Sequence, residues 1–378
     1  MTAPRVMVYV QHLLGIGHQM RAAAIIRAMQ ASGLEVTCVS GGEAGGMPDL
    51  GGARLIQLPP VKAADATFTS LVDPEGREID DAWRERRCAA LLEAFHEIDP
   101  NVLLIESFPF GRWQFRYELM PLLRAARAGG VAVASSVRDI LVEKNKPGRQ
   151  EKIVAILREC FDVVLVHGDE SLVPFGATFR SAGDIADLIR YTGYVAPPPP
   201  DASPEGPGKG EVVVAAGGGA VGGILLRTAL AARPLTTMAA APWRLITGPN
   251  LAAEEREKLV ETQGVTVETL RRDYREVLSR AALSVSQAGY NTVMDILVTG
   301  VHAVLVPFAA EGETEQAQRA RLLAGRGRVQ VADEATLTPE SLAAAIDEAL
   351  SCPAPALEGL ALNGAAETAR AVRELVER

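Results

Sequence analysis

Two stretches of alternating strand and helix, separated by a proline-rich break, predict an α/β protein built from two parallel-sheet domains. Short β-branched or aliphatic runs recur at 5–10, 34–40, 54–58, 102–105, 131–135 and 162–166, with helical patterns at 18–31, 79–98, 112–128 and 148–160 between most of them. The alternation halts near Tyr191-Thr192-Gly193-Tyr194-Val195. There Pro197 to Pro200, and then Asp201 to Gly210, concentrate Pro, Gly and Ser. It restarts at Glu211, with strands at 211–216, 243–247, 265–269, 282–286, 302–306 and 328–331. Helical patterns near 222–232, 252–262, 273–281, 290–299, 315–324 and 339–350 separate them, and a last one at 364–377 follows Pro353 and Pro355. Such alternation implies parallel sheets covered on both faces, whose ligands collect at the carboxyl ends of the strands.

The boundaries that follow are an N-terminal domain 1–193, a linker 194–210, a C-terminal domain 211–357 and a closing helical segment 358–378. The two halves read as Rossmann-like domains facing a cleft. At 378 residues the chain can bury a core in each. A net charge of −9 argues against a nucleic-acid partner. Cys38, Cys88, Cys160 and Cys352 are scattered without metal or redox spacing and read as reduced structural thiols. The chain opens almost at once on the strand Arg5 to Val10, and its longest apolar run, Val212 to Leu226, is broken by glycines and too short for a bilayer. The expectation is a cytoplasmic protein, with contact to a membrane surface left open.

Gln11-His12-Leu13-Leu14-Gly15-Ile16-Gly17-His18 joins the first strand to the first helix. Gly15 and Gly17 allow close approach of a ligand, here an acceptor. His18 starts a helix that also carries Arg21 and Arg27; the helix N-terminus disfavours an imidazolium, so His18 is expected to be neutral and able to accept a proton. His12 is the more ambiguous histidine of the loop. Glu106 ends the strand at 102–105 and should reach the same mouth as His18, where a carboxylate would orient an imidazole. Phe108 to Tyr117 holds five of the eighteen aromatics with Arg112 and Arg116; it suits an acceptor wall, a membrane surface or ordinary core. Arg138 ends the next strand and suits an acceptor phosphate or carboxylate, or a structural ion pair.

In the second half, Gly217-Gly218-Gly219-Ala220-Val221-Gly222 follows a strand and contains the GxGxxG pattern of dinucleotide sites. That reading needs an acid near the end of the next strand, and Trp243-Arg244-Leu245-Ile246-Thr247 supplies none. A second turn, Ser286-Gln287-Ala288-Gly289-Tyr290-Asn291-Thr292-Val293-Met294-Asp295, runs from a strand into a helix, whose first amides suit a phosphate. Asp295, near the end of that first turn, would reach vicinal sugar hydroxyls. Gly217, Gly218, Gly219, Gln287, Gly289, Asn291, Thr292 and Asp295 therefore form the candidate donor set.

At this turn, with Val306-Pro307-Phe308 and Glu315-Gln316 after it, the chain resembles the donor-binding half of GT-B glycosyltransferases. Among them it looks most like the bacterial N-acetylglucosaminyltransferases that form lipid II, and related predicted bacterial glycosyltransferases. The likeness rests on 11–21, 212–223 and 284–318. It implies a last helix that crosses back to the N-terminal domain and a general base at His18 partnered by Glu106. It also implies uracil read by backbone near Leu270 and Arg271, and sugar hydroxyls bound by Glu315 and Gln316. The reaction implied is inverting transfer from a nucleotide-diphosphate sugar, UDP-linked, to an acceptor hydroxyl, with the nucleotide sugar as substrate and no cofactor. The chain departs from the family in carrying Asp295 where the lipid-II-forming enzyme has glutamate, and Glu315-Gln316 where a Gln or Asp pair is common, so the sugar stays open. No DxD triplet follows a strand, so metal-independent chemistry is expected. An epimerase or hydrolase of the same fold, and a non-catalytic nucleotide-sugar binder, are the alternatives.

Overall fold

Arg5–Val10 (β1) is buried along almost its whole length, as expected of a strand with both faces covered. The computed structural model describes all residues except 1–2, 14–16, 44, 46, 65–69, 142–146, 202, 217–221, 249–250, 260–262, 270, 309–313, 354–358 and 378. The chain divides into two units, Met1–Val195 with Ala361–Arg378, and Ala196–Leu360.

In the first unit β1 is followed by Gly17–Ala31 (α1), Glu35–Ser40 (β2), Arg54–Gln57 (β3), Lys62–Ala63 (β4), Leu71–Val72 (β5), Asp81–Ile98 (α2), Val102–Glu106 (β6), Arg116–Ala128 (α3), Ala132–Arg138 (β7), Arg149–Cys160 (α4), Val163–His167 (β8) and Ile189–Tyr191 (β9). Asp80 caps α2, accepting from the Trp83 amide at 2.7 Å. The sheet order is β3-β2-β1-β6-β7-β8-β9, parallel throughout. Strand order reverses between β1 and β6, so the loops leaving these two strands diverge at their carboxyl ends and open a crevice.

The second unit contains Val212–Ala215 (β10), Gly223–Ala232 (α5), Trp243–Thr247 (β11), Ala253–Glu257 (α6), Val265–Thr269 (β12), Tyr274–Arg280 (α7), Leu283–Ser286 (β13), Tyr290–Thr299 (α8), Ala303–Leu305 (β14), Glu315–Ala324 (α9), Gln330–Val331 (β15) and Pro339–Ser351 (α10). Its parallel sheet runs β12-β11-β10-β13-β14-β15 and reverses between β10 and β13. The helix expected over 252–262 is shorter, Ala253–Glu257. The proline-rich stretch lies along α7: Arg280 donates to Pro207 O at 2.9 Å and Arg275 to Pro198 O at 3.2 Å. Gly208, at φ +98°, passes so close that a Cβ would stand 2.1 Å from Val277 O.

Gly364–Val376 (α11) completes the first unit. Ala369, Ala371, Val372 and Leu375 bury against the Ile25–Ile26–Met29 face of α1. Tyr194 and Val195, placed by the sequence in the linker, are buried here. The Tyr194 amide donates to Ala361 O at 2.7 Å and the Gly364 amide to Tyr194 O at 2.9 Å. A Cβ on Gly364 would lie 2.3 Å from Gly193 O, so this return of the chain requires glycine.

One fully buried ion pair ties this unit together. Arg87 of α2 donates from Nε to Glu118 Oε2 and from Nη2 to Glu118 Oε1, both at 2.8 Å. It also donates to Gln11 Oε1 at 2.9 Å, to Gly41 O at 2.9 Å and to Pro59 O. Tyr9 completes the carboxylate by donating to Glu118 Oε1 at 2.5 Å. Every N–H direction of the guanidinium is used, which is the condition for burying such a charge. Glu118→Ala should therefore cost about 3–5 kcal/mol of folding free energy by leaving Arg87 unpaired; urea unfolding showing a loss under about 1 kcal/mol would contradict the assignment.

Candidate functional site

The β1–β6 reversal brings His18 and Glu106 together. His18 sits in the first turn of α1, and Glu106 is the last residue of β6. His18 Nδ1 lies 2.8 Å from Glu106 Oε1. Arg21, one turn along α1, donates to the same oxygen, and its Nη2 stands 3.3 Å from His18 Nδ1. Ser107 Oγ donates to Glu106 Oε2 at 2.9 Å. Burial alone would raise the Glu106 carboxyl, but His18 and Arg21 hold it well below the usual carboxylate range. An ionised Glu106 accepts only, so Nδ1 carries the hydrogen and Nε2 keeps its lone pair. Burial pushes His18 down to about 4, helped by Arg112 and Arg138 and opposed by Glu106. Burial is thus the main physical cause that disfavours the imidazolium here, where the sequence pointed to the helix N-terminus. One fifth of the His18 side chain remains exposed.

Two residues with left-handed backbone, Ser107 (φ +66°) and Arg112 (φ +56°), bracket the turn after β6. This conformation aims Arg112 Nε at Gln11 O, 2.6 Å away. His12 is tied differently. Its Nδ1 lies 3.0 Å from Gln19 Nε2, an amide donor, so this ring nitrogen is already engaged. Gly42 gives it room, since a Cβ there would stand 2.0 Å from the ring. Gly17 opens α1 and Arg138 ends β7, while Gly15 lies outside the described residues. The aromatic segment divides: Phe108 and Phe115 are fully buried, and Trp113 is stacked beneath Arg149 and Arg116, 4.3 and 4.9 Å from its ring centre. A second histidine, His167, was not singled out by sequence. It is fully buried between Ser136 Oγ (2.7 Å) and Thr192 Oγ1 (2.9 Å), with both ring nitrogens occupied.

In the second unit, β13 leads through Gln287, Ala288 and Gly289 into α8, at the β10–β13 reversal. Gly289 has ordinary backbone angles, φ −61° and ψ 148°, so the turn itself does not demand glycine. Among the described residues, a Cβ there would meet only Thr292 Oγ1, at 3.9 Å. What the missing side chain leaves is open ground over an α8 N-terminus that no side chain caps. Asn291 and Thr292 stand half-buried on that first turn. Gln287 Nε2 and Ser286 Oγ are buried there without a hydrogen-bond partner, an arrangement that a polar ligand would relieve. Asp295, 21% exposed, faces Arg275 Nε at 4.0 Å; burial raises its carboxyl to about 7, against the pull of Arg275.

Glu315 is not a solvated surface acid. It is buried at the start of α9 and accepts from Arg319 Nη2 at 2.8 Å, while Arg319 covers the Tyr290 ring. Gln316 Oε1 accepts from the Phe308 amide at 3.2 Å, which leaves its NH₂ for other partners. Arg271 is held by Asp273 and Glu268. Gly217, Gly218, Gly219 and Leu270 lie outside the described residues.

Residues 212–372 match the family model of the glycosyltransferase family 28 C-terminal domain. A UDP-N-acetylglucosamine--N-acetylmuramyl-(pentapeptide) pyrophosphoryl-undecaprenol N-acetylglucosamine transferase of Phenylobacterium zucineum is 39% identical over 101 residues, 27% of this chain and 26% of that protein. The enzyme of the same description from Rhodospirillum centenum is 32% identical over 106 residues, 28% of each chain. The matched segment thus spans about a quarter of these curated relatives. Among solved structures, the calicheamicin glycosyltransferase CalG4 superposes with a TM-score of 0.67 at 18% identity, covering 99% of both chains. The glycotransferase of kitacinnamycin gives 0.64 at 21%, and Acinetobacter baumannii MurG 0.60 at 16%, each again over 99% of both chains. The fold is that of the GT-B glycosyltransferases. Within that class the chain resembles the bacterial lipid-II-forming N-acetylglucosaminyltransferases, through its C-terminal half.

A folded-state value near 4 against 6.5 for a free imidazole means that the unfolded chain binds the extra proton between these pH values. The stabilising contribution of a neutral His18 is complete above about pH 6.5 and is lost as pH falls through about 4. NMR of the His18 ring should accordingly show the neutral Nδ1–H tautomer from pH 8 to 5; half-protonation near 6.5 would contradict the buried pair.

Proposed function

We propose that this chain is an inverting glycosyltransferase that moves a sugar from a nucleotide-diphosphate sugar, UDP-linked, to an acceptor hydroxyl. The observation that carries the reading is the His18–Glu106 pair at a sheet reversal, in which Nδ1 lies 2.8 Å from the carboxylate and a fifth of the imidazole side chain stays exposed. In this mechanism Nε2 takes the acceptor's hydroxyl proton while that oxygen attacks the anomeric carbon. The bond from that carbon to the diphosphate breaks, and the charge leaves with the diphosphate. Glu106 stabilises the imidazolium that forms, as an oriented carboxylate does in other histidine bases. The open first turn of α8, from Gly289 to Thr292, meets the diphosphate with amides and dipole, which makes a divalent metal dispensable. Asp295 accepts from ribose hydroxyls, the Gln316 NH₂ and Glu315 face the sugar, and Gln287 supplies a further donor.

UDP is favoured by the similarity to relatives whose name specifies UDP-N-acetylglucosamine. The same name describes a pyrophosphoryl-undecaprenol acceptor. Arg112 and Arg138, both close enough to depress His18, suit an acceptor that carries phosphate. No helix among the described residues is long and apolar enough to cross a membrane; the proposed encounter with a lipid-linked acceptor is peripheral contact at the cytoplasmic face of the inner membrane.

His18→Ala should lower kcat by about 10²–10⁴-fold, the usual size of a general-base contribution, while donor Kd stays within about twofold, far below the tenfold that 1.4 kcal/mol would produce. Turnover close to wild type would remove His18 from this role. For the donor, calorimetry at pH 6 and pH 8 should show tighter binding at the higher pH. Asp295 ionises near 7, and only its ionised form offers both oxygens to ribose. Asp295→Ala should abolish that dependence and weaken binding by about tenfold or more, the equivalent of a charged hydrogen bond. An unchanged Kd would move the ribose elsewhere.

A further inference from the structure

Arg21 was noted in the sequence only as a cation on the first helix, yet its side chain is only 2% exposed. A buried guanidinium in contact with a reactive histidine and its carboxylate partner calls for a reason. We infer that Arg21 is a positioning residue for the His18–Glu106 pair: it fixes the carboxylate that holds the His18 ring by its Nδ1–H and takes up part of that carboxylate's charge. The inference rests on the proposed reading for its catalytic meaning, but its geometry stands independently.

Glu106 Oε1 receives two donors, His18 Nδ1–H and an Arg21 Nη2–H, while Oε2 receives Ser107. A carboxylate held at both oxygens from three sides has little freedom to rotate, and the imidazole plane is set by it. The electrostatic effect has a definite sign. A lone carboxylate beside an imidazole stabilises the imidazolium. Here the same oxygen already faces a permanent cation, whose Nη2 is also 3.3 Å from the ring nitrogen. A proton arriving on His18 is therefore less welcome than in a two-membered pair, and a proton taken from an acceptor is more readily passed on. The other groups facing this site are Glu106 from the end of β6, Arg112 from the turn after it and Arg138 from the end of β7. His167 of β8 lies within the field of Arg21 and Glu106 but is neutral, lowered to about 3 by burial. Of the three arginines, Arg21 is the one described here that donates to Glu106 and also lies against the His18 ring, a contact at 3.3 Å that is no hydrogen bond because Nδ1 carries its own hydrogen.

The test compares Arg21→Gln, which removes the charge, with Arg21→Lys, which keeps the charge but loses the planar fork. In Arg21→Gln the NMR titration midpoint of His18 should rise by about one pH unit, a tenfold gain in proton affinity. The acid limb of kcat should rise with it, with kcat lowered about tenfold or more at neutral pH and the donor KM unchanged. In Arg21→Lys the midpoint should stay near the wild-type value while kcat falls. A midpoint that is unmoved or lower in Arg21→Gln, or raised equally in both variants, would overturn the inference. If Arg21→Gln does not fold, as judged by circular dichroism, wild-type kcat in Arg21→Lys would overturn it and reduced kcat at an unchanged midpoint would support it. Wild-type protein that turns over no nucleotide sugar would defeat the enzymatic reading alone, because the titration of the free protein tests Arg21 without any substrate.

Discussion

The chemistry of the first unit depends on keeping one carboxylate, Glu106, ionised out of water. An isolated buried carboxylate would take up a proton, since desolvation in a medium of low polarity outweighs most single interactions. Glu106 avoids this with His18, Arg21 and Ser107 arranged around its two oxygens. Its charge then dictates the tautomer of His18. The tautomer dictates that Nε2 is the nitrogen that keeps its lone pair. Each step is a donor–acceptor requirement, so a single substitution at any point propagates to the rest.

That arrangement is available because of strand order. In both sheets the chain starts at an inner strand, builds to one edge, and then returns to build toward the other. The loops on either side of the reversal point away from each other, leaving backbone and side chains uncovered at the strand ends. In the first unit the gap is flanked by His18 and Glu106; in the second it is flanked by Gly289 and the start of α8. The first unit gathers His18, Arg21 and Ser107 around one buried carboxylate. The second leaves a helix start without a side-chain cap beside two buried polar groups, Ser286 Oγ and Gln287 Nε2, that have no hydrogen-bond partner.

Beneath the first of these gaps lies the Arg87–Glu118 pair. It links α2 and α3 to β1 through Gln11 and Tyr9, and to the loops after β2 and β3 through Gly41 and Pro59. Gln11 in turn donates to Val61 O at 3.1 Å and its carbonyl accepts from Arg112. The loop that leads to His18 is thus fastened at its first residue from several directions. Gly41 fits here because a Cβ would stand 2.1 Å from Gln11 Oε1.

Hydrophobic alternation by itself determined the two parallel sheets and most helix positions, because period and burial are local consequences of residue order; the return of α11 was implied only by the resemblance to GT-B enzymes. Alternation also placed His18, Glu106, Gly289 and Asp295 at strand exits, where parallel sheets bind ligands. The 189–191 strand was missed: β9 is only three residues long, too short to show a period. Tertiary structure alone decided the rest. That Arg21 and His18 share one oxygen of Glu106 involves residues 85 and 88 positions apart, and no local pattern encodes such a pairing. Gly289 read as a turn-former, but its backbone is ordinary and its value lies in the space above it. Glu315 was expected to bind sugar hydroxyls, and only packing shows it buried against Arg319. Position along the chain tells which residues reach a strand end. Which charges meet there, and how far from water, is fixed only when distant strands pair.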